Sequence, residues 1–114
     1  MKSRLLSILT FYRFQCWRPT VMTKGKLQDC FQVINYCNTH SIAIRLSFKV
    51  YNSYYKANLK YRIGDVVVKI NIVTHKLYIR EKNCIRFIKC DINKLTRYLP
   101  PVAIPAFIRK AYNV

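Results

Sequence analysis

Apolar and polar residues alternate along the central part of the chain, in three runs at 57–63, 66–73 and 76–80. A period of two places successive side chains on opposite faces of the backbone, so each run is typical of a strand with one buried face. Gly64 and Asp65 separate the first two runs. A Gly-X pair favours a tight hairpin, because glycine adopts positive φ without steric cost. The pattern therefore predicts consecutive antiparallel strands.

The predicted turns fix a register, and that register can be checked for consistency. The first loop pairs Tyr61 with Val68, and a second loop at 74–75 pairs Ile70 with Ile79. Both pairs are apolar on apolar, as expected for one buried face of a sheet.

The opposite face of these strands is cationic. The same register places Lys60 opposite Lys69, and Lys69 opposite Arg80. Like charges directly opposite each other destabilise a sheet, so an anionic partner laid across this row would offset the repulsion. The alternative is a solvated outer face whose cations spread apart on long flexible stems. The candidate RNA-binding residues are Lys60, Arg62, Lys69, Lys76, Tyr78 and Arg80.

Composition strengthens the case for a polyanionic partner. The 114 residues include 21 Lys and Arg but four Asp and Glu, which gives a formal net charge of +17. Such a charge opposes compaction and attracts polyanions. Nucleic acid is the first expectation, and a peripheral contact with an anionic membrane surface is the second.

The segment 1–26 contains no acidic residue and carries six cations. It is compatible with a mitochondrial presequence or a secretion signal, but a basic cytosolic or nuclear extension is favoured, since a clear cleavage site is missing. The five cysteines have irregular spacing and do not form a disulfide framework, which favours a reducing compartment. We predict a cytoplasmic protein, with mitochondrial and nuclear locations as alternatives.

Two further elements are predicted before the central strands. Apolar residues at helical spacing in 26–37 indicate a helix, with Cys30 and Cys37 as small core residues. A zinc site at Cys30, Cys37 and His40 is the less favoured alternative, because a fourth ligand at standard spacing is missing. Alternation in 41–50 favours a strand, although Leu46 and Val50 could also lie on one face of a helix, and a turn is expected at 52–53.

The segment 84–99 has two interpretations that remain open. It forms either one amphipathic helix, or a further strand at 84–90 followed by a short helix that Asp91 caps. We divide the chain into a basic N-terminal extension (1–26), a single α+β domain (27–99) and a proline-punctuated tail (100–114) expected to pack loosely or to dock elsewhere. The predicted fold class is α+β, a small antiparallel sheet of three or four strands with helices packed on one face.

No group of residues predicts catalysis. Three of the four acids fall in a predicted turn, loop or helix cap, no two of the four are placed as a pair for acid–base catalysis, and His40 and His75 stand apart in the sequence. With two glycines, the chain has no phosphate-binding glycine-rich loop. We therefore expect a protein that is not an enzyme and has no cofactor, metal, catalytic residue or small-molecule substrate.

Part of the chain resembles the signal recognition particle 9 kDa subunit family. The resemblance lies in the segments 56–62 (KANLKYR), 68–70 (VKI) and 77–80 (LYIR), together with a turn at Gly64. With the one-helix interpretation of 84–99, the order of elements also matches, and the resemblance then covers 56–99.

The resemblance implies an α-β-β-β-α fold that binds the Alu portion of the particle RNA together with a 14 kDa partner subunit. The basic sheet residues of the family would correspond to Lys60, Arg62 and Lys69. The expected function is that of a small basic RNA-binding protein that uses its cationic sheet face to bind structured RNA as part of a ribonucleoprotein. The alternative is a small viral or organellar accessory protein that binds an anionic membrane surface or a protein partner.

Overall fold

A computed structural model of the protein describes residues 23–50 and 55–114. Predictions for the possible targeting segment, and for the turn at Asn52, lie outside the described residues.

The described strands form one antiparallel sheet in which each strand pairs with its neighbour in sequence. The sheet with helices packed against it confirms the α+β prediction. It has five strands rather than three or four, since it gains the strand favoured at 41–50 and a two-residue strand near its end. The strands are β1 (Ala43–Val50), β2 (Tyr55–Ile63), β3 (Val66–Asn71), β4 (Leu77–Arg80) and β5 (Ile88–Lys89).

Four helical segments of the described residues accompany the sheet. The first begins after Thr23, whose hydroxyl accepts a hydrogen bond from the backbone N–H of Lys26 at 3.2 Å. Such a side chain satisfies an N–H that has no partner within the helix. The segments are α1 (Lys24–Thr39), α2 (Ile92–Tyr98), a 3₁₀ helix (Pro101–Ala103) and α3 (Ala106–Tyr112).

One hydrophobic core lies between the sheet and the helices. Its α1 members include Cys30 and Cys37, both fully buried, so the prediction of core cysteines is confirmed. Phe31, next to Cys30 in the sequence, is 45% exposed. The sheet contributes the inward-facing residues of β2, β3 and β4, which are Ala57, Leu59, Tyr61, Val68, Ile70, Leu77 and Ile79.

The C-terminal segment belongs to this core, so the expectation of a loosely packed tail is wrong. Ile104 and Ile108 are fully buried. The Tyr61 hydroxyl donates a buried hydrogen bond to the Ala103 carbonyl at 2.7 Å. The prolines end α2 and redirect the chain without carrying it away from the sheet, so the apolar residues after them complete the core.

The first predicted hairpin is confirmed residue by residue. Ile63 pairs with Val66 and Tyr61 pairs with Val68, as the two-residue loop requires. Gly64 has φ of +61°, a conformation that glycine adopts without steric cost.

The second hairpin does not turn at Thr74 and His75, and its predicted register is wrong by two residues. Ile70 pairs with Leu77 instead of Ile79. The Asn71 side chain accepts hydrogen bonds from the backbone N–H groups of Val73 and Thr74, both at 2.9 Å. An asparagine that bonds the backbone following it forms a turn of its own and ends the strand early. A longer loop therefore joins β3 to β4.

The segment 84–99 contains a strand and a short helix, so the one-helix interpretation is wrong. The strand β5 is limited to two residues, and Asp91 caps α2 by accepting a hydrogen bond from the Lys94 N–H at 2.9 Å. The carboxylate favours helix initiation there and prevents α2 from continuing back into β5.

Candidate nucleic-acid interface

The face of the sheet that points away from the helices is called the outer face below. One transverse line of directly paired residues crosses it over all five strands, and the line carries four cations and a tyrosine. We call this line the cationic row, and its members in strand order are Arg45, Lys60, Lys69, Tyr78 and Lys89.

A second line of paired residues lies beside the cationic row on the same face, two residues further along β2 toward the β2–β3 turn. It pairs Ala43 with Arg62, Arg62 with Val67, and Val67 with Arg80. The Arg80 guanidinium carbon lies 5.0 Å from the centre of the Phe87 ring. The outer face therefore carries at least six cations together with two aromatic rings.

Lys69 lies at the middle of the cationic row. Its ammonium group lies 4.3 Å from the centre of the Phe87 ring and 5.1 Å from that of Tyr78. Burial lowers the pKa of Lys69 from 10.5, and the neighbouring charges of Lys60 and Lys56 lower it further. The aromatic rings attract the ammonium group, while the neighbouring cations repel it.

Asp65 and Glu81 each pair with a cation outside the cationic row. Asp65, in the β2–β3 turn, pairs with Lys82 at 3.7 Å. Glu81 accepts hydrogen bonds from Lys94 at 3.3 Å and from the Tyr98 hydroxyl at 2.8 Å, both on α2. These contacts lower the pKa of Glu81, the Tyr98 bond most. Across the strands that the structure describes, no Asp or Glu occupies an outer-face position, so the positive charge there is not neutralised within the sheet.

The structure brings most of the predicted site residues together. Lys60, Arg62, Lys69, Tyr78 and Arg80 share the outer face. The corrected register moves Arg80 out of the row and places Tyr78 opposite Lys69. Lys76 is exposed at the end of the hairpin, where its carbonyl accepts from the Asn71 N–H at 2.9 Å. Their role in binding RNA remains a prediction.

Sequence reasoning missed three residues of this surface. Arg45 follows from the alternation in 41–50 once that strand is added beside β2. Lys89 and Phe87 had no comparable signal, because β5 is too short for a period-two pattern.

Outside the outer face, the cysteine and histidine side chains of the described residues lack the grouping of a metal site. The four cysteines of the described chain are free thiols, and burial raises the pKa of Cys30 to about 12. His40 is the C-cap residue of α1, and its ring stacks on that of Tyr36 with 4.0 Å between ring centres. No three His, Cys, Asp or Glu side chains lie close enough for a metal ion within residues 23–50 and 55–114. In that same part of the chain, no helix combines the length and apolarity needed to cross a bilayer.

Comparison of the chain with protein-family models, with curated protein sequences and with solved structures finds no match.

Proposed function

We propose that the protein binds RNA through the outer face of its sheet and does not catalyse a reaction. The observation that carries this proposal is the direct pairing of Arg45, Lys60 and Lys69 across three neighbouring strands. Lys60 has a like charge on both sides, which costs folding free energy. An RNA backbone laid across the strands offsets that cost, because its phosphates lie between the cations and release counterions on binding.

The aromatic residues distinguish this surface from a general basic patch. Tyr78 lies within the cationic row, and Phe87 packs against both Lys69 and Arg80. Aromatic rings beside cations are typical of surfaces that bind unpaired nucleotides, since bases stack on rings while phosphates meet the cations.

The outer face is less suited to a membrane surface. Peripheral membrane contact usually combines cations with large apolar side chains that enter the bilayer. The most exposed large apolar side chains of the described residues are Ile85, in the β4–β5 connection, and Ile88, which pairs with the inward-facing Ile79 and so does not belong to the outer face. The alternative function as a membrane-bound accessory protein is therefore an outcome of the test below.

Two narrower expectations stay predictions. One is membership of the signal recognition particle 9 kDa subunit family, and the other is the partner subunit that this membership implies.

Fluorescence anisotropy with a labelled RNA hairpin tests the proposal, using the full chain over a range of salt concentrations. We expect Arg62→Glu to weaken binding at least about ten-fold and to lower the steepness of the salt dependence by about one counterion per lost phosphate contact. Lys110→Glu is the matched control, because Lys110 is an exposed cation on α3.

Equal losses for the two variants would overturn the assignment to the outer face. Binding of the wild-type chain to anionic vesicles, without measurable binding to RNA at low salt, would overturn the function and favour the membrane alternative.

A further inference from the structure

A depression of about 330 Å³ opens on the outer face between the cationic row and the line beside it. Cations surround it, and its apolar lining includes Val67 and Phe87, with Ala43 and Ile44 at the β1 side. Val67 is 7% exposed although it points away from the core. The cations that line the depression are Arg45, Lys60, Arg62 and Arg80.

The three arginines are available for a ligand. The two ion pairs found within residues 23–50 and 55–114 are Asp65–Lys82 and Glu81–Lys94, and neither involves an arginine. A guanidinium group donates parallel hydrogen bonds that match the oxygens of a phosphate. Three such groups around one depression form a phosphate-binding arrangement, to which the apolar surface adds a place for a flat, weakly polar group.

We propose that this depression binds one unstacked nucleotide of a single-stranded RNA segment, with its phosphate on the arginines and its base against Phe87 and Val67. This proposal rests on the RNA-binding function and specifies the form of the RNA. A paired nucleotide keeps its base stacked inside a duplex and presents only phosphates and groove edges. An unpaired nucleotide can fill both the charged and the apolar parts of the depression.

The volume and the lining favour a nucleotide over a free anion. Ligand sites generally combine an apolar surface with a few polar groups that fix orientation, and about 300 Å³ is the lower end of their usual volume. An inorganic phosphate would contact the arginines but would not itself contact the Phe87 ring or Val67. A nucleotide engages both.

The test compares two labelled RNAs on the full chain, a hairpin with an unpaired loop and a blunt duplex without one. We expect the hairpin to bind more tightly by a factor on the order of ten, because stacking one base on an aromatic ring contributes about five-fold or more to affinity. Phe87→Leu should remove this preference and leave duplex binding nearly unchanged, while Phe87→Tyr, which keeps a ring, should retain it. Arg62→Gln should weaken hairpin binding, and Lys110→Gln should not.

Equal affinity for hairpin and duplex, unchanged by Phe87→Leu, would overturn the nucleotide site and leave RNA binding by the outer face intact. Failure to bind either RNA at low salt would overturn both. Amide spectra of the Phe87→Leu chain that match those of the wild type would show that this variant is folded. Phe87→Tyr and Arg62→Gln are comparisons that leave the core unchanged, since Arg62 is exposed.

Discussion

Lys60 lies directly opposite Lys69 in the antiparallel β2–β3 ladder. The two ammonium groups belong to the same face and repel each other, and Arg45 lies on the other side of Lys60. Folding therefore brings like charges together at the centre of the sheet. A surface that costs folding free energy in the free protein is expected to recover it when an anionic ligand binds.

Removing the central charge should stabilise the free protein. We expect Lys60→Gln to raise the free energy of unfolding by roughly 0.5 to 1 kcal/mol at low salt, since cross-strand like-charge pairs cost up to about that much. The gain should shrink at high salt, where screening already weakens the repulsion. Urea unfolding at two salt concentrations measures both effects.

Lys110→Gln is the control for the Lys60 variant, because it removes an exposed charge on α3. If Lys60→Gln destabilises the protein, or stabilises it no more than Lys110→Gln does, repulsion within the cationic row is not a significant cost.

The buried hydrogen bond of Tyr61 should contribute measurably to stability. Tyr61→Phe leaves the Ala103 carbonyl without its 2.7 Å partner in the core, so we expect a loss of about 1 to 3 kcal/mol in the free energy of unfolding. Tyr98→Phe removes a bond to Glu81, which keeps its contact with Lys94 and is partly exposed to water. Thermal unfolding should therefore show the smaller effect for Tyr98→Phe, and the reverse order would contradict the packing of the C-terminal segment on the sheet.

The C-terminal segment should be essential for folding. We expect Ile104→Ala to lower the free energy of unfolding by about 3 kcal/mol, because it leaves a cavity in the core. This loss is typical of truncating a fully buried isoleucine. Ile85→Ala makes the same chemical change at a side chain that is 91% exposed, so its effect should stay within about 0.5 kcal/mol. Denaturant unfolding of both variants checks this contrast, and similar small effects would show that the segment packs loosely after all.

His75 should make stability depend on pH. Burial, and then the charge of Lys26, lowers its pKa from 6.5, and its Nε2 is buried without a hydrogen-bond partner within the described residues. The unfolded chain then binds the proton at a higher pH than the folded protein does. The contribution of His75 to the free energy of unfolding should be fully present above about pH 7, and it should be lost as the pH falls through the lowered pKa.

The variant that tests the His75 effect is His75→Asn, because asparagine also accepts the φ of +65° found at this position. We expect its urea midpoint to change less between about pH 7 and pH 5.5 than that of the wild type. This window lies above the range in which carboxylates titrate. An identical pH dependence in the two proteins would contradict the role of His75.

The sequence predicts those parts of the fold in which local chemistry determines the backbone. Gly64 gives the first hairpin its turn, and Asp91 gives α2 its start. The second hairpin was predicted wrongly, because alternation is unchanged by a shift of two residues. Both registers place apolar residues together, and the choice between them depends on the turn that the Asn71 side chain forms.

Alternation also made the cationic face predictable, but it did not determine which residues pair across that face. A shift of two residues keeps every side chain on its face, so the cationic outer face survives the error in register. The shift does change which residues belong to the cationic row, because Tyr78 rather than Arg80 pairs with Lys69. Phe87 was missed because its position depends on β5, whose two residues pair with β4 through tertiary packing rather than local sequence pattern.

The most direct test of RNA binding by the outer face is NMR of the full chain with ¹³C-methylated lysines, which keep their charge. Lysine-to-glutamine variants assign the signals, and a hairpin RNA is then added. We expect the signals of Lys60 and Lys69 to shift, and those of the exposed helical residues Lys24 and Lys110 to stay in place. Shifts at Lys24 and Lys110, with Lys60 and Lys69 unchanged, would contradict the account.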